Sequence, residues 1–312
     1  MSRNYGLGQR DMTRAGKAAL NYCAKKGEIS FSTAATVAER WSQFSAWARE
    51  VGIKKMENVT VDAVLEYGQS LAERVEKGEL AAATAQNYLS AVNSVMSIAT
   101  KGRWGAVSPT HECGIPQRSA IRLDAPGGLD RAIYKAATDE AMHQIGDRAQ
   151  VIIELARELG LRSKEASLLN AHAALAESKA RNLICIRDGT KGGRARQIPI
   201  VSAVQRAALE NAVKVQGKAR AVMPADQNWK TWRNGELREI REIVKQQTGG
   251  GLHDLRSAYA CERYKALTGH DAPSAGGKIV DRKLDEIARL QIAEELGHSR
   301  IDVVAEYIGG RP

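Results

Sequence analysis

Cysteine is scarce in this chain. Its four cysteines, Cys23, Cys113, Cys185 and Cys261, are spread over 312 residues at long, irregular intervals. No two form a CxxC pair, so a thiolate metal site is not indicated and reduced thiols in a cytoplasmic protein are expected. Long apolar runs are also missing: none approaches the roughly 18 residues that would mark a membrane span. The N-terminal stretch MSRNYGLGQRDMTRAGKAAL is charged throughout and lacks the apolar core of a signal peptide. Internal repeats and low-complexity tracts are absent as well. These absences exclude membrane and secretory classes and lead to an expected cytoplasmic location.

What the chain has in excess is positive charge. It carries 46 Lys plus Arg against 36 Asp plus Glu, a formal net charge of +10. An excess of this size fits a polyanionic partner without naming one. Hydrophobic residues make up 43% and charged residues 26%, normal proportions for a folded domain. The length suits two modest domains or one large one.

Periodicity divides the chain. Residues 1–30 form a basic N-terminal segment with a short helix predicted over 12–25. Val37, Trp41, Phe44 and Trp47 then fall on one helical face. Thr60 is placed to cap a helix carrying Val64, Leu65, Leu71 and Val75, and a further helix carries Tyr88, Leu89, Val92, Val95 and Met96. Residues 31–104 are therefore expected to be an all-helical domain. Residues 105–130 are rich in Gly and Pro and read as a linker, within which His111 and Cys113 are too isolated to suggest a metal site. Residues 131–312 form a second domain. It is mainly helical, with one β-hairpin of Leu183, Ile184 and Ile186 against ARQIPIV, turned at DGTKGG. The expected fold class is thus mainly α with a small β-sheet.

The second domain scatters polar residues that suit one chemistry. Arg162 opens a helix, with Glu165 one turn on. Lys191 sits at the hairpin tip, and His253 and Arg256 stand one helical turn apart in GGGLHDLRSAYACERY. His298 follows a Leu-Gly pair, and Tyr307 comes nine residues later. Attack on a phosphodiester builds charge on the non-bridging oxygens, which two guanidinium forks match well. Imidazoles donate hydrogen bonds or move protons near neutral pH. A lysine can protonate a leaving 5′ oxygen, and a tyrosine hydroxyl can attack phosphorus and conserve the bond energy in a covalent link. Neither a cofactor nor a metal is expected in such a set.

These fragments resemble the catalytic domain of the tyrosine recombinases, the phage-integrase family. GLRSKEASLL matches the family's first arginine box at Arg162. TKGGRARQIP matches its hairpin lysine at Lys191, and LHDLRSAYA matches its His-x-x-Arg box at His253 and Arg256. LGHSRIDVVAEY matches its ending at His298 and Tyr307. Four matches in family order are far more specific than any one alone. The helical first domain is similar in pattern to the core-binding domain that precedes such catalytic domains.

The resemblance implies a site-specific recombinase or integrase of a mobile genetic element or prophage. It would clamp double-stranded DNA, cleave through a 3′-phosphotyrosine link, and act as a monomer in solution that becomes a tetramer on paired sites. Accessory DNA-bending or directionality proteins are conceivable partners. The alternatives are a type IB-like topoisomerase or a telomere resolvase with the same chemistry, or a regulator with an inactive site. Catalytic residues are expected at Arg162, Lys191, His253, Arg256, His298 and Tyr307, with Glu165 orienting a neighbour. Arg194, Arg196, Lys230 and Arg233 are expected on DNA phosphates, while Trp229 and Trp232 pack a helix. Two departures stand out. The stretch between Arg256 and His298 is longer than the family pattern, so residues 271–290 look inserted; the insertion is open to contact with DNA, contact with a neighbouring protomer or no role, and it is the expected source if a contact in trans exists. Only Ile308 to Pro312 follow the tyrosine in this sequence, where family members carry a docking element.

Overall fold

The protein is described by a computed structural model covering residues 3–311. It divides into two compact units, Met1–Ser119 and Ala120–Pro312. No described helix is long and apolar enough to cross a membrane.

The first unit is built from helices α1 (Met12–Lys25), α2 (Phe31–Glu50), α3 (Val61–Glu76) and α4 (Ala82–Ala99). Asp11, Ser30 and Thr60 each cap the start of a helix by accepting a backbone N–H. The expected aromatic stripe is core: Trp41 and Phe44 are fully buried, with the rings of Trp47 and Tyr67 tilted or edge-on beside them. The unit is larger than the sequence reading suggested at both ends. Helix α1 buries Met12, Leu20 and Ala24 in the same core, and Trp41 donates to the carbonyl of Met12 at 3.2 Å. Val107, Cys113 and Ile115 also enter that core, so residues 105–119 pack as part of the unit rather than run free as linker. Short irregular segments anchor themselves this way when a few apolar side chains reach a preformed surface, whatever their Gly and Pro content.

The second unit continues with α5 (Arg131–Gln144), α6 (Asp147–Glu158), α7 (Ser163–Leu168) and α8 (Ala171–Arg181). Strands β1 (Leu183–Ile186) and β2 (Arg196–Pro199) then pair antiparallel, Ile184 opposite Ile198. Helices α9 (Ala203–Gln216), α10 (Trp229–Asn234), α11 (Glu236–Thr248), α12 (Leu252–Thr268), α13 (Arg282–Leu296) and α14 (Ala305–Ile308) complete it. One continuous core runs through this unit. Helix α12 crosses its middle and is buried nearly all round: from Leu255 to Cys261 every residue is covered. A helix buried on all faces has no amphipathic stripe. Its polar residues must therefore find partners inside the protein, and this brings Arg256 into the site.

Candidate active site

Helix α7 starts at a tight turn. Gly160 has φ +61°, and a Cβ there would stand 2.5 Å from the ring of Tyr259. Glycine is required on both counts. The turn presents Arg162 as the N-cap of α7, and Glu165 reaches back to accept the Arg162 backbone N–H at 2.7 Å. Glu165 is wholly buried, yet three guanidinium groups surround it. Arg196 binds it bidentately at 2.6 and 2.8 Å, Arg162 donates at 2.8 Å, and Arg256 Nη1 lies 3.7 Å away. Burial opposes the carboxylate's charge, but Arg196 first and then Arg256 hold its pKa below the usual range.

Arg256 is fully buried and is fixed by two backbone carbonyls, Gly160 through Nη1 and Leu296 through Nη2. Its remaining donor, Nε, is buried and has no partner among the described residues. An unpaired buried donor costs stability and so calls for an explanation at a functional site. Burial, opposed mainly by Tyr307, brings its pKa down to about 10. Arg162 also donates to the Leu296 carbonyl, at 3.3 Å, so the end of α13 is tied to both arginines.

Tyr307, on α14, is 2% exposed. Its hydroxyl lies 3.1 Å from His298 Nε2, its ring centroid 5.3 Å from that of His253, and Arg256 sits 5.5 Å over its ring. His298 is partly buried beside four cationic side chains. Desolvation, then Arg256, Arg162, Lys191 and Arg196, bring its pKa down to about 4. The ring is thus neutral at pH 7. With its proton on Nδ1 it accepts from the phenol, and in the other tautomer it donates to the phenol oxygen. His253 stands at the rim, its basicity lowered by partial desolvation and by Arg256.

The structure therefore brings Arg162, Glu165, His253, Arg256, His298 and Tyr307 together. Lys191 stands exposed on the hairpin tip, near enough for its charge to act on His298. Arg194 is exposed on the wall of an open groove of about 970 Å³ between the hairpin and α13, with His298 further along that wall. Lys230 and Arg233 are exposed on α10, whose Trp232 is buried and bonded to Ser167.

Arg196 departs from expectation. Its side chain is 3% exposed, and its donors go to Glu165 and to the Glu295 carbonyl, so it does not present itself to DNA. The strand pattern carried the signal: Arg196, Ile198 and Ile200 alternate with outward residues and share the inward face. Sequence reasoning also missed Arg241, which bonds Ser163 at 3.3 Å and adjoins Arg233, and Lys164, whose ammonium sits 5.6 Å over Trp229. With Lys230 and Arg233 they form a cationic surface beside Arg162. Lone basic residues on amphipathic helices carry no mark that distinguishes this surface from any solvated face.

A family model described as Integrase matches residues 120–262, a span that includes Arg162, Glu165, Lys191, His253 and Arg256 but stops short of His298 and Tyr307. No curated protein sequence matches the chain. The fold is similar to that of the XerH site-specific recombinase bound to a palindromic difH substrate, with TM-score 0.60 and 16% identity over 95% of this chain and 81% of that one. It is similar to the Tn1549 transposon integrase in complex with circular intermediate DNA, with TM-score 0.59 and 12% identity over 95% and 96%. A lambda integrase dimer bound to a core site gives TM-score 0.57 and 16% identity over 93% and 76%.

The depressed basicity of His298 has a measurable consequence. Its folded pKa lies below the ordinary value, so between about pH 6.5 and 4 the unfolded chain binds a proton that the folded chain refuses, and acid destabilises the fold through this ring. In the full-length protein the ring C–H resonances of His298 should titrate near pH 4. A midpoint at or above 6.5 would contradict the description of its surroundings. In three-dimensional form the chain has the fold seen in the XerH recombinase, the Tn1549 integrase and lambda integrase, and its residues 120–262 match the Integrase family model.

Proposed function

We propose that the protein is a site-specific DNA recombinase that cuts and rejoins duplex DNA through a covalent 3′-phosphotyrosine. The observation that carries this reading is the seating of Tyr307 against His298 beside Arg256, whose buried Nε has no partner among the described residues. A scissile phosphate entering there supplies the oxygen that this donor lacks. Arg162 and Arg256 neutralise charge as it grows on the phosphoryl oxygens, their forks already fixed by Glu165 and the Leu296 carbonyl. Neutral His298 takes the phenol proton or hydrogen-bonds the phosphoryl group, according to tautomer, and His253 donates to a phosphoryl oxygen. Tyr307 Oη forms the bond to phosphorus as the 5′ oxygen leaves, and Lys191, on its hairpin, protonates that oxygen. Rejoining is the reverse: a 5′ hydroxyl attacks and the phenolate departs.

Double-stranded DNA is the proposed partner. Arg194 and the cationic surface of Lys164, Lys230, Arg233 and Arg241 suit backbone phosphates, which position a duplex without reading its sequence. The net charge of +10 fits a largely electrostatic affinity. It also disfavours self-association without DNA, so we propose a monomer in solution and a tetramer on paired sites. An inactive regulator is disfavoured, because a buried arginine with an unpaired donor costs stability that mere DNA binding does not require.

The assignment is tested with a nicked duplex whose site has been selected from random sequence by the full chain. Wild-type protein should form a denaturation-resistant adduct, and Tyr307→Phe should abolish it while keeping DNA binding. An adduct that persists in Tyr307→Phe would refute the nucleophile.

The arginines divide by role. Arg162→Ala or Arg256→Ala should slow cleavage at saturating protein by about 100-fold or more, the scale for one lost transition-state donor. Arg233→Ala should leave that rate within about twofold, weaken binding, and lower its salt dependence. Equal rate losses at all three positions would contradict this division.

A further inference from the structure

Tyr307 lies on a helix of four residues, Ala305–Ile308. So short a helix cannot hold itself, because nucleation is unfavourable and its final carbonyls lack partners within it. Other parts of the same unit bond to the carbonyls of this segment. Arg122 donates its backbone N–H to the Ala305 carbonyl at 2.9 Å and its Nε to that of Glu306 at 3.3 Å. The Cys261 thiol donates to the Tyr307 carbonyl at 3.7 Å. Arg289 donates Nη1 to the Gly309 carbonyl at 2.9 Å and Nη2 to that of Gly310 at 3.4 Å.

The grip has its own foundation. Asp285 is 1% exposed and accepts from Arg289 Nε, Arg311 Nε and the Tyr264 hydroxyl, at 2.8, 2.8 and 2.9 Å. Arg289 is 3% exposed, so this ion pair is buried and fully used. Gly309 completes the fit: its φ is +91°, and a Cβ there would stand 2.7 Å from the Ser274 nitrogen. The turn at Pro273–Ala275 thus lies directly against the chain after the tyrosine. At the other end of the grip, Arg122 is ion-paired with Asp254, next to His253.

Pro273, Ser274, Asp285 and Arg289 all belong to the stretch that looks inserted relative to the family pattern. Its buried polar groups face the chain's own tail, which is not where a contact to a neighbouring protomer would put them. We propose that residues 272–289, together with Arg122, form a cis clasp. The clasp holds the backbone around Tyr307 so that its hydroxyl stays against His298 of the same chain. Asp285, Arg289 and Arg122 are thereby positioning residues for the nucleophile. This inference rests on the reading of Tyr307 as nucleophile, and it adds that the tyrosine is already seated in the free monomer.

Two measurements on the full chain test it. The first is hydrogen exchange without DNA. In Arg289→Ala, exchange across residues 301–311 should accelerate about tenfold or more while α6 and α9 stay protected, because only the local opening free energy changes. The second is single-turnover adduct formation on the nicked selected duplex at saturating protein. The rate should fall about tenfold or more with duplex affinity within about twofold, since a misplaced nucleophile loses rate and not binding. Arg289→Lys, which keeps the charge and a donor, should recover part of both losses. If Arg289→Ala loses protection in α6 and α9 as well, Arg122→Ala and Arg311→Ala, at partly exposed sites, are judged by the same criteria. Unchanged exchange at 301–311 overturns the clasp whatever cleavage does. Faster exchange with an unchanged rate overturns its role in placing the nucleophile. Failure of Tyr307 as nucleophile would appear separately, as the absence of any adduct in the wild-type protein.

Discussion

The carboxylate of Glu165 is the one negative charge on which the arginine cluster depends. Removed from water, three guanidinium groups this close would repel one another and bear a large desolvation cost. Glu165 offsets part of that cost with two oxygens that accept from Arg196, Arg162 and the Arg162 backbone. Arg256 relies more on carbonyls, those of Gly160 and Leu296. One carboxylate among three cations leaves the neighbourhood positive; burial first, and then this excess, keep His298 neutral, and the site suits an anion.

Structure and site share the same elements. Helix α12, buried on every face from Leu255 to Cys261, passes through the core and delivers Arg256. The end of α13 supplies the Leu296 carbonyl to two arginines just before the turn that presents His298. Glu295, on the same turn of α13, binds Arg263 bidentately at 2.6 and 2.9 Å and accepts from Tyr259, whose ring packs on Gly160. Hydrogen bonds therefore link the starts of α7 and α12 to the end of α13, and the spacing of the polar groups follows from packing. Such groups need little reorganisation when a charged ligand arrives.

Much of this was legible in the sequence, for identifiable reasons. Helix α1 and the hairpin are read within a residue or two because their apolar spacing or turn residues are strong. Gly235 divides the helical stretch after Asn228 into α10 and α11, and Gly146 separates α5 from α6, as glycine permits. The motif residues converge as expected because they come from turns and helix starts with distinctive composition. Arg196 was misplaced because a hairpin arginine beside Arg194 looks like a phosphate contact until its strand partners are considered. The cis grip on the tail was not legible at all. It joins Arg122, Asp285, Arg289 and Gly309 across most of the unit, and no local pattern encodes such contacts.

In the proposed reaction, one buried carboxylate sets the arginines that act on the phosphate. Glu165→Gln tests it directly, because glutamine keeps the size and one acceptor but loses the charge. The measurement is the single-turnover rate of covalent adduct formation on a nicked duplex at saturating protein, in a variant whose hydrogen-exchange protection in α6 and α9 matches wild type. The expected outcome is a fall of about 100-fold or more, the scale of misplacing catalytic donors, with duplex binding largely retained. A rate within about twofold of wild type would contradict it.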